Sequence, residues 1–208
     1  MKKYIISISA AVCLAFSSCS DFLDVKPKTE VPTDDLFKKE SGFEDALNGC
    51  YIKMNSKNLY GKFLTLSGVD FLARYYDNTT EGTYEYALSN FNWNNSYVKG
   101  QIKNTYNEFY NVILQANDVI MHIDTETGKN AVKSEKKRNL LKGEALAMRA
   151  FLHFDILRLF GQLPKNPTIQ VSLPYSEVTG IEDRPLYGFD EYVQKLLKDL
   201  SDAEELLS

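Results

Sequence analysis

The sequence predicts an all-α protein of tetratricopeptide-like stacked helix pairs with long aromatic-rich loops, incomplete at its C-terminal end. Three observations predict it. Apolar residues recur at helical spacing over four stretches; the two longest carry apolar residues on two faces rather than one; and the last periodic stretch is still running at Ser208. Of the 208 residues, 44% are hydrophobic and 25% charged, shares that exclude intrinsic disorder, collagen and a multi-span membrane protein. Lys and Arg number 24 against 28 Asp and Glu, a formal charge of -4, which argues against a surface built to neutralise phosphates, so no nucleic-acid partner is expected. Three cysteines and two histidines, His122 and His153, cannot supply a disulfide framework or a Cys/His metal site, and no metal or other cofactor is expected.

The first element is an address. Met1-Lys2-Lys3, an apolar run from Tyr4 to Phe16 and Ser17-Ser18 stand before Cys19, the order of a bacterial export signal over residues 1–18. Its apolar core from Ile5 to Phe16 is twelve residues, short of the about 20 a spanning helix needs. Small residues directly before a cysteine are what lipoprotein maturation requires, and this makes Cys19 the expected lipid attachment site, with Phe16 standing where Leu is commoner. Ordinary cleavage leaving a free Cys19, or a buried N-terminal helix, are the competing readings. Removing 18 residues leaves a mature chain of 190, with 22 basic against 28 acidic residues and Cys50 as its free thiol. Cys50 sits beside Leu47 and Tyr51 in a helical pattern and reads as a small buried apolar residue rather than a reactive one.

Residues 19–33, with Pro27 and Pro32 and no helical or strand period, read as an extended tether, and residues 34–208 as one helical domain. Ser41-Gly42-Phe43-Glu44 has capping-box spacing and predicts a helix over about 42–55. A second helix is expected over about 99–124, with one stripe through Ile102, Tyr106, Phe109, Ile113, Ile120 and Ile123 and another through Tyr110, Leu114, Asn117 and Met121. A third covers about 135–160, with Leu141, Ala145, Met148, Leu152, Ile156 and Leu159 on one face and Ala147, Phe151, Phe154 and Leu157 on the next; Gly161 and Pro164 end it. A fourth runs from near Asp190 through Val193, Leu196, Leu200, Ala203 and Leu207. Stacked arrays need a polar terminal repeat, and Glu204-Glu205-Leu206-Leu207-Ser208 leads the sequence to predict that something further packs there.

Three stretches together resemble the SusD/RagB family of Bacteroidetes outer-membrane lipoproteins. They are Cys19-Ser20-Asp21-Phe22-Leu23-Asp24-Val25-Lys26-Pro27; Tyr106 through Ile120, with Ala116-Asn117 and Val119-Ile120; and, most specifically, Gly143 through Gly161, similar to the family's Ala-Glu-Ala-x-x-x-Arg-Ala-x-x-x-Phe-x-Leu-x-x-x-Phe-Gly helix. The similarity covers the mature chain but only the N-terminal helical part of the family. It implies tetratricopeptide-like helix pairs and binding rather than catalysis. It also implies a place at the cell outer membrane, lipid-anchored and surface-exposed, with a TonB-dependent SusC-like transporter as partner and oligosaccharides, or in some members peptides, as ligand.

Between Tyr60 and Tyr97 lie ten of the 26 aromatic residues, in 38 positions, together with Asn78, Asn90, Asn92, Asn94 and Asn95. Aromatic faces stack on the apolar side of sugar rings while amides, carboxylates and Arg take the hydroxyls, so this composition suits a glycan site. Carried over from the starch-binding members by region and residue type, the ligand-binding candidates are Trp93, Asp70, Arg74 and Asn94. The bland alternative has Trp93 with Phe91 and Tyr97 covering the second helix and Asp70 paired with Arg74. Asn117 is expected to link helices, Arg149, Asp155 and Arg158 to form interhelix pairs with Glu144 in the same network, and His153 to be packed or at a rim. Lys133, Lys136, Lys137 and Arg138 read as a solvated helix start. No nucleophile elbow, phosphate loop or zinc motif points to an enzyme, and no catalytic residue is assigned. A helical protein-interaction scaffold, a peptide-binding lipoprotein and a truncated family member without independent binding remain as alternatives.

Overall fold

A computed structural model describes residues 33–76, 79–162, 169–180 and 183–208. The signal, Cys19 and all of the tether but Thr33 lie outside the described residues. Residues 36–208 form one compact unit, which holds every long helix among the described residues.

One helical turn, α1 (Thr33–Leu36), comes first among the described residues. Helix α2 (Glu40–Met54) comes next and buries Phe43, Leu47 and Cys50, spaced by four and three residues, on one face. The expected capping box is absent: α2 begins at Glu40, its N-cap Lys39 makes no side-chain cap, and Ser41 lies inside the first turn. The Glu44 carboxylate is taken instead by the Lys137 ammonium at 2.5 Å. Gly42 is buried because the Leu36 carbonyl lies where a Cβ would project.

The two long helices stand close to their expected limits. Helix α5 (Ser96–Ile123) starts three residues earlier than its periodicity predicts, because Asn95 Oδ1 accepts from the Tyr97 and Val98 amides at 2.9 and 3.2 Å. Helix α7 (Glu135–Phe160) begins and ends where the sequence placed it, with Ser134 Oγ accepting from the Lys137 amide at 3.3 Å and Gly161 as the C-cap. The fourth long helix, α8 (Phe189–Leu207), packs on α7, α7 packs on α5, and α5 packs on α2. This succession of neighbours is the stacked helical arrangement predicted. The core is filled by Phe109, Val112, Ile113, Ala116 and Val119 of α5 and by Leu141, Ala145, Met148, Leu152 and Ile156 of α7.

Two details depart from expectation. The second apolar stripe of α7 is not a packed face, since Phe151 and Phe154 are exposed. The second packed face contains Leu146, Arg149, Ala150 and His153, and it meets α8 largely through polar groups. On α8 the stripe likewise departs from apolar periodicity: Leu200 and Leu207 are exposed, while Tyr192 and Asp199 are buried.

The expected long loop between the first two long helices carries three short helical segments: a π-helical turn (Phe63–Ser67), α3 (Gly68–Leu72) and α4 (Tyr84–Ser89), the last capped by Thr83 Oγ1 accepting from the Tyr86 amide at 3.2 Å. Segments of five or six residues are too short to show a period and form only because the long helices hold them. The chain before them is fastened to α5 by Ser56 and Asn58 donating to the Glu108 carboxylate and by Thr105 Oγ1 donating to the Asn58 carbonyl at 2.9 Å. A further turn, α6 (Glu126–Ala131), precedes α7. Before α8, a two-stranded antiparallel ribbon joins β1 (Leu173–Pro174) and β2 (Leu186–Tyr187), pairing Leu173 with Tyr187 and Pro174 with Leu186.

Candidate functional site

One buried polar network ties α8 to the rest. Arg149 is 5% exposed and Asp199 3%. Arg149 Nε and Nη2 donate to the two oxygens of Asp199 at 2.7 and 2.6 Å, and Nη1 donates to Asn117 Oδ1 at 2.8 Å. Asn117 Nδ2 in turn donates to the Ser176 and Val178 carbonyls at 3.0 and 3.2 Å, and the Tyr175 hydroxyl donates to Asp199 at 2.6 Å. Burial works against the guanidinium charge, but the bonds and charge of Asp199 outweigh it and raise the Arg149 pKa.

His153 is fully buried and stacks on Tyr175 with ring centroids 3.8 Å apart. Its Nε2 accepts from the Ser176 amide at 3.2 Å, which places the ring proton on Nδ1, donated to the Tyr192 hydroxyl oxygen at 2.7 Å; that hydroxyl donates to the His153 carbonyl at 3.1 Å. Burial, with the Arg149 charge nearby, pushes the His153 pKa down to about 3, so the ring is neutral. Each of these polar side chains has its partners inside the fold, so the residues are structural, as expected for Asn117, Arg149 and His153. The expectation of interhelix pairs is corrected for Asp155 and Arg158, which pair within α7 at 2.7 Å. Asp155 reaches across through the Tyr60 hydroxyl instead, at 2.7 Å, and Glu144 accepts from the Tyr51 hydroxyl at 2.8 Å.

The surface around the sequence-chosen candidates is different in kind. Arg74 and Phe91 both adopt left-handed backbone, with φ of 56° and 54°. Arg74 Nε donates to the Ser89 carbonyl at 2.9 Å, and its guanidinium carbon lies 5.1 Å from the Phe91 ring centroid. Phe91 stands 5.9 Å from Trp93, centroid to centroid, and Trp93 is 48% exposed. Arg74 and Trp93 are therefore brought together through Phe91. Asp70 is not joined to them: it sits in the first turn of α3, partly buried, and among the described residues it forms no ion pair with Arg74. Asn94 is exposed, its backbone N–H donating to Asn92 Oδ1 at 3.2 Å.

Trp93 also borders a cavity of about 410 Å³ shared with Lys99, Ile102, Lys103, Tyr106 and Phe160. The α5 residues among them lie three, four and seven positions after Lys99 and so share one face, while Phe160, from the last turn of α7, meets Tyr106 edge-on at 5.1 Å. The sequence groups Phe91 with Trp93 only in its packing alternative and does not join the two lysines, Tyr106 or Phe160 to it. The α5 spacing was legible, but the approach of the α7 terminus was not. Among the described residues no group of three His, Cys, Asp or Glu is placed to hold a metal, and no helix is long and apolar enough to cross a membrane.

Fold and surface together define an all-α protein of packed helix pairs with an exposed aromatic wall beside an open cavity. Residues 21–208 match the model of the SusD-like family described as "Starch-binding associating with outer membrane", and the chain belongs to that family. It is 26% identical over 209 residues to SusD-like protein P2 of Formosa agariphila, covering 100% of this chain and 38% of that protein. It is also 27% identical over 165 residues to SusD-like protein P25 of the same organism, covering 76% of this chain and 31% of that one. The chain thus spans about a third of the length of the curated relatives it matches.

Proposed function

We propose that this chain captures oligosaccharides at the outer membrane for import through a TonB-dependent SusC-like transporter. Residues 1–18 act as export signal, Cys19 carries the lipid, and residues 19–33 hold residues 34–208 off a cell-surface-exposed membrane face. The observation that carries the reading is the exposed Trp93, backed by Phe91 and bordering the 410 Å³ cavity. A half-exposed indole supported on one side offers an apolar face to a pyranose ring, and the family description adds starch binding and association with the outer membrane.

Trp93 is the chain's one tryptophan, so its fluorescence reports its own environment. Titration with a panel of oligosaccharides is expected to shift its emission to the blue as a ring covers it. In Trp93→Ala, calorimetry is expected to show affinity reduced about tenfold, the loss of roughly 1–2 kcal/mol of stacking. Unchanged affinity in that variant refutes the site. For the anchor, Cys19→Ser is expected to release the protein from the membrane fraction; retention without Cys19 refutes lipid attachment there.

A further inference from the structure

The cavity beside Trp93 is lined almost wholly by carbon. Trp93, Ile102, Tyr106 and Phe160 present ring and aliphatic atoms to it, and the exposed Lys99 and Lys103 border it through their stems. The Tyr106 hydroxyl interacts with that of Tyr110, which donates to the Pro174 carbonyl at 2.7 Å, so the Tyr106 ring rather than its oxygen borders the opening. That ring is held by Tyr110 at 4.9 Å and edge-on by Phe160 at 5.1 Å, centroid to centroid, and Ile102 is seated against the core. No carboxylate or amide side chain lines the cavity. A hydroxyl that enters it gives up water and finds no partner, whereas a methyl group gains from each contact.

A hexose stacked on an indole turns its ring face inward and keeps its hydroxyls around the edge. Carbon 6, the one carbon outside the ring, is the group that projects beyond the stacked face. In most hexoses it carries a hydroxyl; in a 6-deoxyhexose it is a methyl. Resting on the proposed glycan capture at this surface, we infer that the cavity beside Trp93 selects oligosaccharides containing 6-deoxyhexose units. Trp93 takes the ring face, and Ile102, Tyr106 and Phe160 surround the methyl. At about 410 Å³ the cavity also has room for a hydroxymethyl group, so the selection is by polarity and not by size.

The experiment compares methyl α-L-fucoside with methyl α-L-galactoside, which differ only in the hydroxyl on carbon 6, and takes a malto-oligosaccharide as reference. Binding to the full chain is followed by Trp93 fluorescence and saturation-transfer NMR. The fucoside is expected to bind about tenfold tighter than the galactoside, the scale of one hydroxyl left without a partner, and to receive its strongest transfer at the methyl protons. Ile102→Thr puts a hydroxyl on the cavity wall and is expected to bring the two ligands within about threefold of each other. Its melting curve checks the fold, and the comparison in the parent chain stands without it. Galactoside binding equal to or tighter than the fucoside, or transfer confined to ring protons, overturns the inference and leaves glycan capture standing, as does binding of the malto-oligosaccharide alone. A folded Ile102→Thr that keeps the full preference also overturns it, by showing that the methyl sits elsewhere. If all three ligands fail to bind, the inference falls and glycan capture at this surface falls with it.

Discussion

Replacing Asp199 by alanine removes both bonds from the Arg149 guanidinium and the acceptor of the Tyr175 hydroxyl. The guanidinium stays 5% exposed in the parent geometry, left with Asn117 Oδ1 at 2.8 Å and the Glu177 carbonyl at 3.4 Å. An uncompensated buried charge of this kind costs about 3–5 kcal/mol, a large share of the roughly 5–15 kcal/mol that holds a domain together. For a chain of this size that corresponds to a fall in Tm of about 6–20 °C. The assay is thermal and urea unfolding of parent and variant at neutral pH, followed by far-ultraviolet circular dichroism. The paired variant Arg149→Met/Asp199→Leu removes both charges and fills the space with apolar atoms, so it is expected to recover most of the loss. If Asp199→Ala costs less than about 1 kcal/mol, or the paired variant is as unstable as the two single losses summed, the pair is not a buried clasp between α7 and α8.

Two further outcomes follow from burial. His153 has a folded pKa of about 3 against an ordinary value of 6.5, so between those values the unfolded chain binds more protons; stability is expected to fall as pH drops from 6.5 toward 3 and to be indifferent to this residue above that window. Comparing urea midpoints across pH checks it, and His153→Gln is expected to flatten the slope; an unchanged slope assigns the dependence to other groups. Cys50 is fully buried and burial pushes its thiol up to about 11, so a disulfide reagent at pH 8 is expected to leave it unmodified in the folded protein and to label it once denaturant is added. Rapid labelling of Cys50 in the native state contradicts the packing of α2 on α5.

The long helices were legible because their periods are long: α7 runs through seven turns of apolar repetition between Ser134 and Gly161, and both ends carry the chemistry that ends helices. What was not legible has a common cause. The capping box at Ser41 was a pattern of four residues, and a tertiary contact between Glu44 and Lys137 claimed one of them. The partner of Arg149 was missed because Asp199 lies off the apolar stripe of α8, among residues whose sequence reads as a solvated face. The same limit governed the surface. Trp93 and Arg74 stood out by residue type, but the contact between them runs through a phenylalanine in an unusual backbone conformation. Asp70 had nothing in its sequence to set it apart from a carboxylate at the start of a short helix, and that is where it lies.

The left-handed pair at Arg74 and Phe91 has a thermodynamic corollary. Neither residue is glycine, so each holds its conformation at a cost of about 1–2 kcal/mol, met by the cation over the ring and the bond to the Ser89 carbonyl. The outlay falls at folding, before any visitor arrives. On the proposed reading, a flat-faced molecule settling on Trp93 would meet a backstop already in place at Phe91, so its residence would be governed by what it touches rather than by what Phe91 must first arrange.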